Sequence, residues 1–228
     1  MYQLLSHIMS TTDPAWPGEP TLKVEPHSLI ERGDNADTYV LHLYNHFSTH
    51  IDAPKHFNSL GKRISEFSVS EFVFNKPLLL DIPKNLGEIL YKEELVKYRE
   101  KIREADLLLI RSGTYQWKLE KPLEFASRGP ALHSEAACYL TEDFPSLRAI
   151  GVDWLSIASP SFMPDGIYTH QYLLGKFNDH HLFIIEDLNL KDLDAKRLLR
   201  VFAFPLFVEG IDSAPATVVA EVGTTSLA

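Results

Sequence analysis

The sequence contains a single cysteine, Cys138, so no disulfide bond can form within the chain. A chain without disulfides suits a reducing compartment, and we expect a cytoplasmic protein. It has no run of 18 or more apolar residues, so no membrane-spanning helix is predicted. The N-terminal segment has neither a basic stretch nor a long apolar stretch, and it therefore does not resemble a signal peptide.

Positive charge is also scarce, with 22 Lys and Arg against 31 Asp and Glu and a net charge of −9. This charge argues against nucleic acid as the main partner because binding to phosphates requires basic patches. Small molecules and divalent cations fit this charge better. The sequence shows no internal repeat, no low-complexity stretch and no break in composition, so we expect one domain over residues 1–228.

Short apolar segments bounded by turn or charged residues predict strands, and longer charged segments with helical periodicity predict helices. In the predicted helix over 133–144, Ser134 is the candidate N-cap. Strands outnumber helices and the two alternate, which predicts an α/β or α+β domain with one or two mixed sheets and flanking helices. The predicted strands are 39–44, 77–82, 106–111, 148–152, 182–187 and 201–208, and the predicted helices are 88–104, 133–144 and 193–199.

The segment HFSTHIDAPKHF, residues 46–57, concentrates side chains that bind metal ions. His46, His50, Asp52 and His56 are separated by even numbers of residues, and residues two apart on a strand share a face. All four side chains can therefore point to one side of an extended chain. The alternative is that they are ordinary surface or core residues, which the density of the pattern disfavours.

A straight strand would place the backbones of His46 and His50 about 13 Å apart. Two imidazoles that far apart can hardly reach one ion, because metal–nitrogen bonds are about 2.0–2.1 Å long. We therefore expect the chain to curl near Ser48. Imidazole and carboxylate ligands suit zinc, and manganese or iron also fit. The two oxygens of Asp52 could bridge two ions.

A second group of candidate ligands lies in residues 170–186, where His170, His180 and His181 precede an apolar run that ends at Glu186. A buried carboxylate must be compensated, and a metal ion can provide the compensation. The alternative is that Glu186 reaches the surface where the strand ends.

Further short motifs accompany residues 46–57 along nearly the whole chain: WPGEP (16–20), LIRSG (109–113), GVD (151–153) followed by Ser156, HQYLL (170–174), IIEDL (184–188), and EG (209–210) followed by SAP (213–215). With the first motif, they resemble the cyclase family of metal-dependent hydrolases, which includes bacterial kynurenine formamidase and isatin hydrolase. The first motif is specific, and the others are weak individually. The resemblance implies a swivelling β/β/α architecture.

The resemblance also implies site residues. The first metal ion would be held by His46, His50 and Asp52. Asp52 and Glu186 would bridge to a second ion, and His170 would complete the second site. Two zinc ions per subunit are expected, with manganese as the alternative.

Two further roles follow from the resemblance. His56 would act as the general acid and base, with a fifth metal ligand or a hydrogen-bonding partner of a ligand as the alternatives. Trp16 would line the substrate pocket, where aromatic rings stack on an aryl substrate; it could equally be a plain core residue.

The sequence departs from the family pattern at two places. Ser48 stands where the family usually has glycine, so we expect the curl to use a backbone conformation open to serine. His170 and Glu186 are more widely spaced than expected, with residues 176–179 resembling an insertion. His180 or His181 could then be the second-site ligand, although the leucine pair after His170 favours His170.

The resemblance implies a metal-dependent hydrolase of small amides, similar to arylformamidase, that uses a metal-activated water. A cyclic amide hydrolase similar to isatin hydrolase is one alternative, and a catalytically inactive metal-binding protein is another. Family members commonly form dimers or tetramers, so a homo-oligomer is expected.

Overall fold

The computed structural model describes residues 1–223 of the chain. The strands are β1 Tyr2–Leu4, β2 Lys23–Ser28, β3 Thr38–His42, β4 His50–Asp52, β5 Val73–Phe74, β6 Pro77–Asp81, β7 Ile89–Leu90, β8 Leu107–Arg111, β9 Ala131–Leu132, β10 Ala149–Val152, β11 Phe183–Glu186, β12 Leu198–Pro205 and β13 Ser213–Val222. The α-helices are α1 Lys92–Val96, α2 Arg99–Arg103, α3 Tyr115–Glu120, α4 Pro122–Arg128, α5 Ser134–Asp143 and α6 Asp165–Leu173.

One nine-stranded mixed sheet dominates the fold, with the order β5-β12-β13-β4-β11-β10-β8-β6 and with β1 paired to β13. Strands β11, β10, β8 and β6 run parallel, whereas β4 is antiparallel to both of its neighbours, β11 and β13. The parallel strands are covered on both faces, which explains why Leu107–Ile110 is an unbroken apolar run.

Two hydrophobic cores lie on the two faces of this sheet. One core packs Leu108, Ile150 and Ile184 against helix residues such as Leu140 and Leu173. The other core joins alternate residues of the same strands to apolar side chains of β12 and β13, because the nearly closed sheet folds over itself. The predicted α/β fold with a mixed sheet and flanking helices is therefore confirmed.

The strands predicted over 77–82, 106–111, 148–152 and 182–187 are confirmed as β6, β8, β10 and β11. Two others are shifted: β3 covers 38–42 rather than 39–44, and β12 covers 198–205 rather than 201–208. The prediction of one domain over 1–228 stays a prediction, since residues 224–228 lie outside the described part of the chain.

The predicted helix over 88–104 is wrong. Ile89 and Leu90 form β7 because they pair with β9, and the remainder forms two short helices, α1 and α2. Tyr98 separates these helices with φ −105° and ψ 9°, outside helical values. The helical periodicity of the charged residues is real, but pairing between distant segments determines the backbone at the start of the segment.

Two smaller helix predictions also fail. The segment 193–199 is not helical, because Leu198 already pairs with Val222 in β12 and the residues before it form turns. The N-cap of α5 is His133 rather than Ser134, since the His133 ring accepts a hydrogen bond from the Glu135 amide at 3.2 Å.

No described helix is long and apolar enough to span a bilayer.

Candidate metal centre

Strand β4 presents the first two site residues. His50 and Asp52 lie on the helix-covered face of the sheet, while Ile51 between them enters the opposite core. The register pairs His50 with Glu186 on β11, so a histidine and a glutamate from distant segments lie side by side. His50 and Asp52 are 2% and 0% exposed, so their polar atoms must find partners inside the protein.

His46 reaches the same site because the chain bends at Ser48, as expected. The ring centroids of His46 and His50 are 5.1 Å apart, and His46 Nδ1 lies 3.1 Å from Asp52 Oδ1. The expectation about the conformation of Ser48 is wrong, however. Ser48 has φ 58°, in the left-handed region that favours glycine, at the bend between His46 and His50.

Replacing Ser48 with glycine is expected to stabilise the protein by about 1 kcal/mol, because the left-handed conformation costs a non-glycine residue about 1–2 kcal/mol. The Ser48 hydroxyl is also buried without a hydrogen-bond partner. Denaturant unfolding of Ser48→Gly measures the gain. Ser48→Ala is the matched control, since it removes the hydroxyl and keeps Cβ. An equal gain in both variants would contradict a conformational cause.

The other half of the site comes from β11 and α6. Glu186 Oε2 lies 3.2 Å from His50 Nε2, and Glu186 Oε1 lies 3.7 Å from His170 Nε2. His170 Nε2 is also 4.0 Å from Asp52 Oδ2. The Nδ1 atom of each ring is hydrogen-bonded to a backbone carbonyl. His50 Nδ1 contacts the carbonyl of Ser48 and His170 Nδ1 contacts that of Gly166, both at 2.8 Å. These contacts aim both Nε2 atoms at the two carboxylates.

The donor set of this site fits a divalent metal ion. Both carboxylate oxygens of Asp52 and Nε2 of His50 are buried without a hydrogen-bond partner. The 3.2 Å contact between His50 and Glu186 lacks the alignment of a hydrogen bond. Unpartnered buried polar atoms are costly, and a cation would satisfy all of them at once. Nitrogen and oxygen ligands of this kind suit zinc or manganese.

Two groups of residues can each offer three ligand atoms within 4.8 Å of one another: His46, Asp52 and His56, and His50, Asp52 and Glu186. Asp52 belongs to both groups. Asp52 could therefore offer a ligand atom to either group.

Without a metal, the carboxylates of the site favour the protonated form of the histidines, and the histidines favour the ionised form of the carboxylates. Burial opposes a charge on His46, but the nearby carboxylates of Asp212 and Asp52 favour the protonated ring and raise the pKa of His46 to about 10. Burial likewise opposes ionisation of Glu186, yet the imidazoles of His170 and His50 hold its pKa well below its usual range. The protonated rings thus provide the positive charge that the carboxylates require.

His56 differs from the other histidines of the site because one of its ring nitrogens forms a hydrogen bond with a carboxylate. His56 Nδ1 lies 2.7 Å from Asp212 Oδ2, and its ring centroid lies 4.2 Å from that of His46. Asp212 is further held by the Asn45 side-chain amide at 3.1 Å. Burial opposes its charge, but His46 and His56 hold the pKa of Asp212 far below its usual range. His56 is also one of the residues that line the cavity described below.

Sequence reasoning missed Asp212. It lies inside the quoted C-terminal motif, between EG and SAP, but no local pattern marks it as a partner of a histidine 156 positions earlier. The pairing of β13 with β4 brings the two together, since Ser213 is opposite Asp52.

The structure separates His170 from the alternative ligands His180 and His181. Both ring nitrogens of His180 contact backbone oxygens, Thr141 O at 2.9 Å and Leu147 O at 2.8 Å. His181 packs against Phe67 and Phe183 in the second core. Of the three histidines, only His170 lines the cavity beside the site.

A cavity of about 270 Å³ opens above these side chains. Tyr44 stands at its wall, and burial together with the charge of Glu19 and a hydrogen bond to it raises the pKa of Tyr44 to about 12, so its hydroxyl stays protonated at neutral pH. The cavity is lined by Trp16, Glu19, Tyr44, His46, His50, Asp52, His56, Phe57, Leu155, Ser156, Ala158, Met163, His170 and Glu186.

A buried ion pair supports the strand that carries Glu186. Asp187 has φ 53° and is fully buried, and its carboxylate pairs with the ammonium group of Lys118 on α3. The Asp187 carbonyl accepts a hydrogen bond from the Thr49 hydroxyl at 2.6 Å, next to His50. The pair therefore joins α3, β11 and the start of β4 beneath the site.

Replacing Lys118 with methionine is expected to destabilise the protein by about 3–5 kcal/mol, because the change leaves the Asp187 carboxylate buried without its cation. The double variant Lys118→Met with Asp187→Asn is expected to lose less, since asparagine is neutral and tolerates a positive φ. Denaturant unfolding of both variants measures the difference. A double variant less stable than the single variant would contradict the buried-charge explanation.

Comparison with known proteins identifies the family of the chain. The Cyclase family model matches residues 4–159. A kynurenine formamidase from Bacillus thuringiensis (strain Al Hakam) is 29% identical over 204 residues, covering 90% of this chain and 89% of the relative.

Solved structures show the same fold. Isatin hydrolase A from Ralstonia solanacearum superposes with a TM-score of 0.82 at 18% identity, covering 98% of this chain and 92% of the other. A predicted metal-dependent hydrolase from Bacillus stearothermophilus superposes with a TM-score of 0.74 at 24% identity, covering 96% and 97%. The family match extends from β1 past the histidine motif to the loop that follows β10, and by this match the chain belongs to the cyclase family.

Proposed function

We propose that this chain is a metal-dependent hydrolase that cleaves the amide bond of a small aryl formamide or cyclic amide. The observation that carries the proposal is Asp52, fully buried with two unpartnered oxygens between three histidines and a glutamate. One sequence relative is a kynurenine formamidase, and one structural neighbour is an isatin hydrolase. Both names support amide hydrolysis as the reaction.

In this proposal two divalent ions occupy the site. His46, His50 and Asp52 would hold the first, and Asp52, Glu186 and His170 would hold the second. The Ser156 hydroxyl and the Ile157 amide donate to Glu186 Oε1 at 3.0 and 2.7 Å, which fixes that carboxylate. When bound, the metal would supply a water of lowered pKa and positive charge for the substrate carbonyl.

The remaining chemistry belongs to side chains of the cavity. Nε2 of His56 accepts the proton of the attacking water and delivers it to the departing nitrogen, while Asp212 holds Nδ1 and thereby fixes the orientation and tautomer of the ring. Trp16 and Phe57 provide aromatic walls for an aryl group. The apolar lining limits the water that competes for the site.

The test begins with removal of metal by a chelator and addition of zinc or manganese to separate samples. Formanilide, a lactam and isatin are then assayed as substrates, and elemental analysis of the purified protein measures the native metal. Metal-dependent turnover of at least one amide is expected. Stabilisation by metal without any turnover would favour the inactive metal-binding alternative.

The prediction of a homo-oligomer is supported by the hairpin of β2 and β3. Its register places Val24 opposite Leu41 and Pro26 opposite Tyr39 on one face, while on the other face Glu25 lies opposite Val40 and forms an ion pair with His42 at 3.3 Å. This alternation is typical of a sheet with one covered face, yet Leu41 is 60% exposed and Tyr39 51% exposed. A second copy of the chain would cover that face.

Light scattering after gel filtration is expected to give a dimer or tetramer, and the variant Leu41→Glu is expected to shift it toward the monomer. Val69→Glu, which changes another exposed apolar residue, is the control and is expected to keep the oligomer. A monomeric wild-type protein would refute this prediction.

The cytoplasmic location also stays a prediction.

A further inference from the structure

One wall of the cavity carries an acid that the proposed chemistry does not use. The turn WPGE brings Glu19 next to Trp16, with the Glu19 amide donating to the Trp16 carbonyl at 2.9 Å and Gly18 at φ 91°. Both side chains line the cavity, together with Tyr44. Residues 16–19 thus form a tight turn at the edge of the cavity.

Glu19 is the one acid of the cavity lining left outside the proposed metal site. Asp52 and Glu186 are buried among histidines, whereas Glu19 is exposed to the cavity and to solvent. No lysine or arginine lines the cavity in the described part of the chain. Among residues 1–223 no basic nitrogen lies within 4.0 Å of the Glu19 carboxylate. A positive group on the substrate would therefore meet a carboxylate without a competing cation.

Aromatic side chains accompany this carboxylate. Trp16 is half-buried against the first core, and Tyr44 is half-buried beside His46. Indole and phenol faces attract a cation within about 6 Å of the ring centroid, and Trp is the strongest of the aromatic residues in this respect. A cavity wall that carries a carboxylate, an indole and a phenol and, within the described chain, no lysine or arginine is thus suited to an organic cation and unsuited to an anion.

We propose that Glu19, Trp16 and Tyr44 form a subsite for a positively charged nitrogen, so that the preferred substrate is an amide that carries an alkylammonium group away from its scissile bond. The amide part of this inference rests on the proposed function. A substrate carboxylate would meet repulsion from Glu19 and no basic side chain at this wall, which makes an anionic substituent the disfavoured one.

The first experiment measures binding and does not need turnover. Isothermal titration of the metal-loaded protein compares 2-phenylethylammonium with its neutral counterpart 2-phenylethanol. The ammonium probe is expected to bind about tenfold more tightly, and the difference is expected to shrink as salt is added. In Glu19→Gln the ratio is expected to fall toward one, whereas Glu19→Asp retains a preference for the cation.

A matched control isolates the position of the charge. Glu31 is an exposed carboxylate outside the cavity lining, so Glu31→Gln makes the same change in net charge elsewhere. The preference for the ammonium probe is expected to persist in Glu31→Gln. A fall in that variant equal to the fall in Glu19→Gln would show that net charge acts at long range, and would overturn the subsite.

The second experiment compares kcat/KM for 4-(2-aminoethyl)formanilide and 4-(2-hydroxyethyl)formanilide. The ratio is expected to favour the amine about tenfold in the wild type and to approach one in Glu19→Gln. Equal values in the wild type would overturn the inference while the proposed function stands. Absence of turnover with both, together with Glu19-dependent binding of the ammonium probe, would refute the proposed function and leave the subsite intact.

Discussion

Replacing His56 with asparagine is expected to lower kcat for a formanilide by about 100-fold or more, because positioned acid–base catalysis contributes about 10² to 10⁴ in rate. Asparagine keeps a side-chain amide that can donate to Asp212, so the local structure is preserved. Steady-state kinetics on the zinc-loaded and manganese-loaded protein measures the loss.

Metal content decides whether His56 acts on the proton or on the ion. Elemental analysis of His56→Asn is expected to match the wild type. The structure leaves a real alternative, since His56 belongs with His46 and Asp52 to a group whose ligand atoms lie within 4.8 Å of one another. Loss of metal together with activity would assign His56 as a ligand and refute the proton-transfer role.

The variant Asp212→Asn separates positioning from catalysis. It is expected to lower kcat less than His56→Asn does and to leave KM nearly unchanged, because asparagine can still accept from His56 through its carbonyl oxygen but no longer stabilises a charged ring. In the background of His56→Asn, adding Asp212→Asn is expected to cost little more. Independent, additive losses would contradict an action of Asp212 through His56.

The second large effect concerns stability. Adding zinc to the metal-free protein at about a thousand times its dissociation constant is expected to stabilise the fold by about 4 kcal/mol. For a chain of this size that corresponds to a rise in Tm of about 8–16 °C. The rise is expected to be nearly lost in Asp52→Asn, because Asp52 is the residue shared by both candidate ligand groups.

Asp153→Asn is a suitable control for this measurement. Asp153 is also a buried carboxylate, but it accepts hydrogen bonds from the amides of Ser112 and Gly113 and lies outside the cavity lining. Its replacement is expected to lower Tm in the absence of metal and to leave the zinc-induced rise intact. A zinc-induced rise that persists in Asp52→Asn would contradict the proposed centre.

The sequence predicted those parts of the site that depend on local spacing. His46, His50 and Asp52 are close in sequence, and a strand with one bend is enough to gather them. Glu186 was suggested by a carboxylate at the end of an apolar strand. The choice among His170, His180 and His181 could not be made from spacing, because it depends on how α6 packs on the sheet and on which backbone carbonyls engage each ring.

Other features require contacts between distant segments. Asp212 becomes a partner of His56 only when β13 pairs with β4. Ile89 and Leu90 follow the helical periodicity of their segment, but they pair with β9 instead. Ser48 adopts a glycine-like conformation because the surrounding hydrogen bonds, including the one from His50 to its carbonyl, outweigh the local cost. Such outcomes arise from tertiary structure, and a local pattern does not contain them.

The central position of β4 has a consequence for biosynthesis. Both neighbours of this three-residue strand come from the far end of the chain, with Glu186 on one side and residues 213–215 on the other. A growing polypeptide on the ribosome therefore carries its histidine motif long before the strands that enclose it have been synthesised. We expect a nascent chain arrested before residue 183 to lack tight zinc binding, and we expect the full chain to bind the ion late in translation or after release.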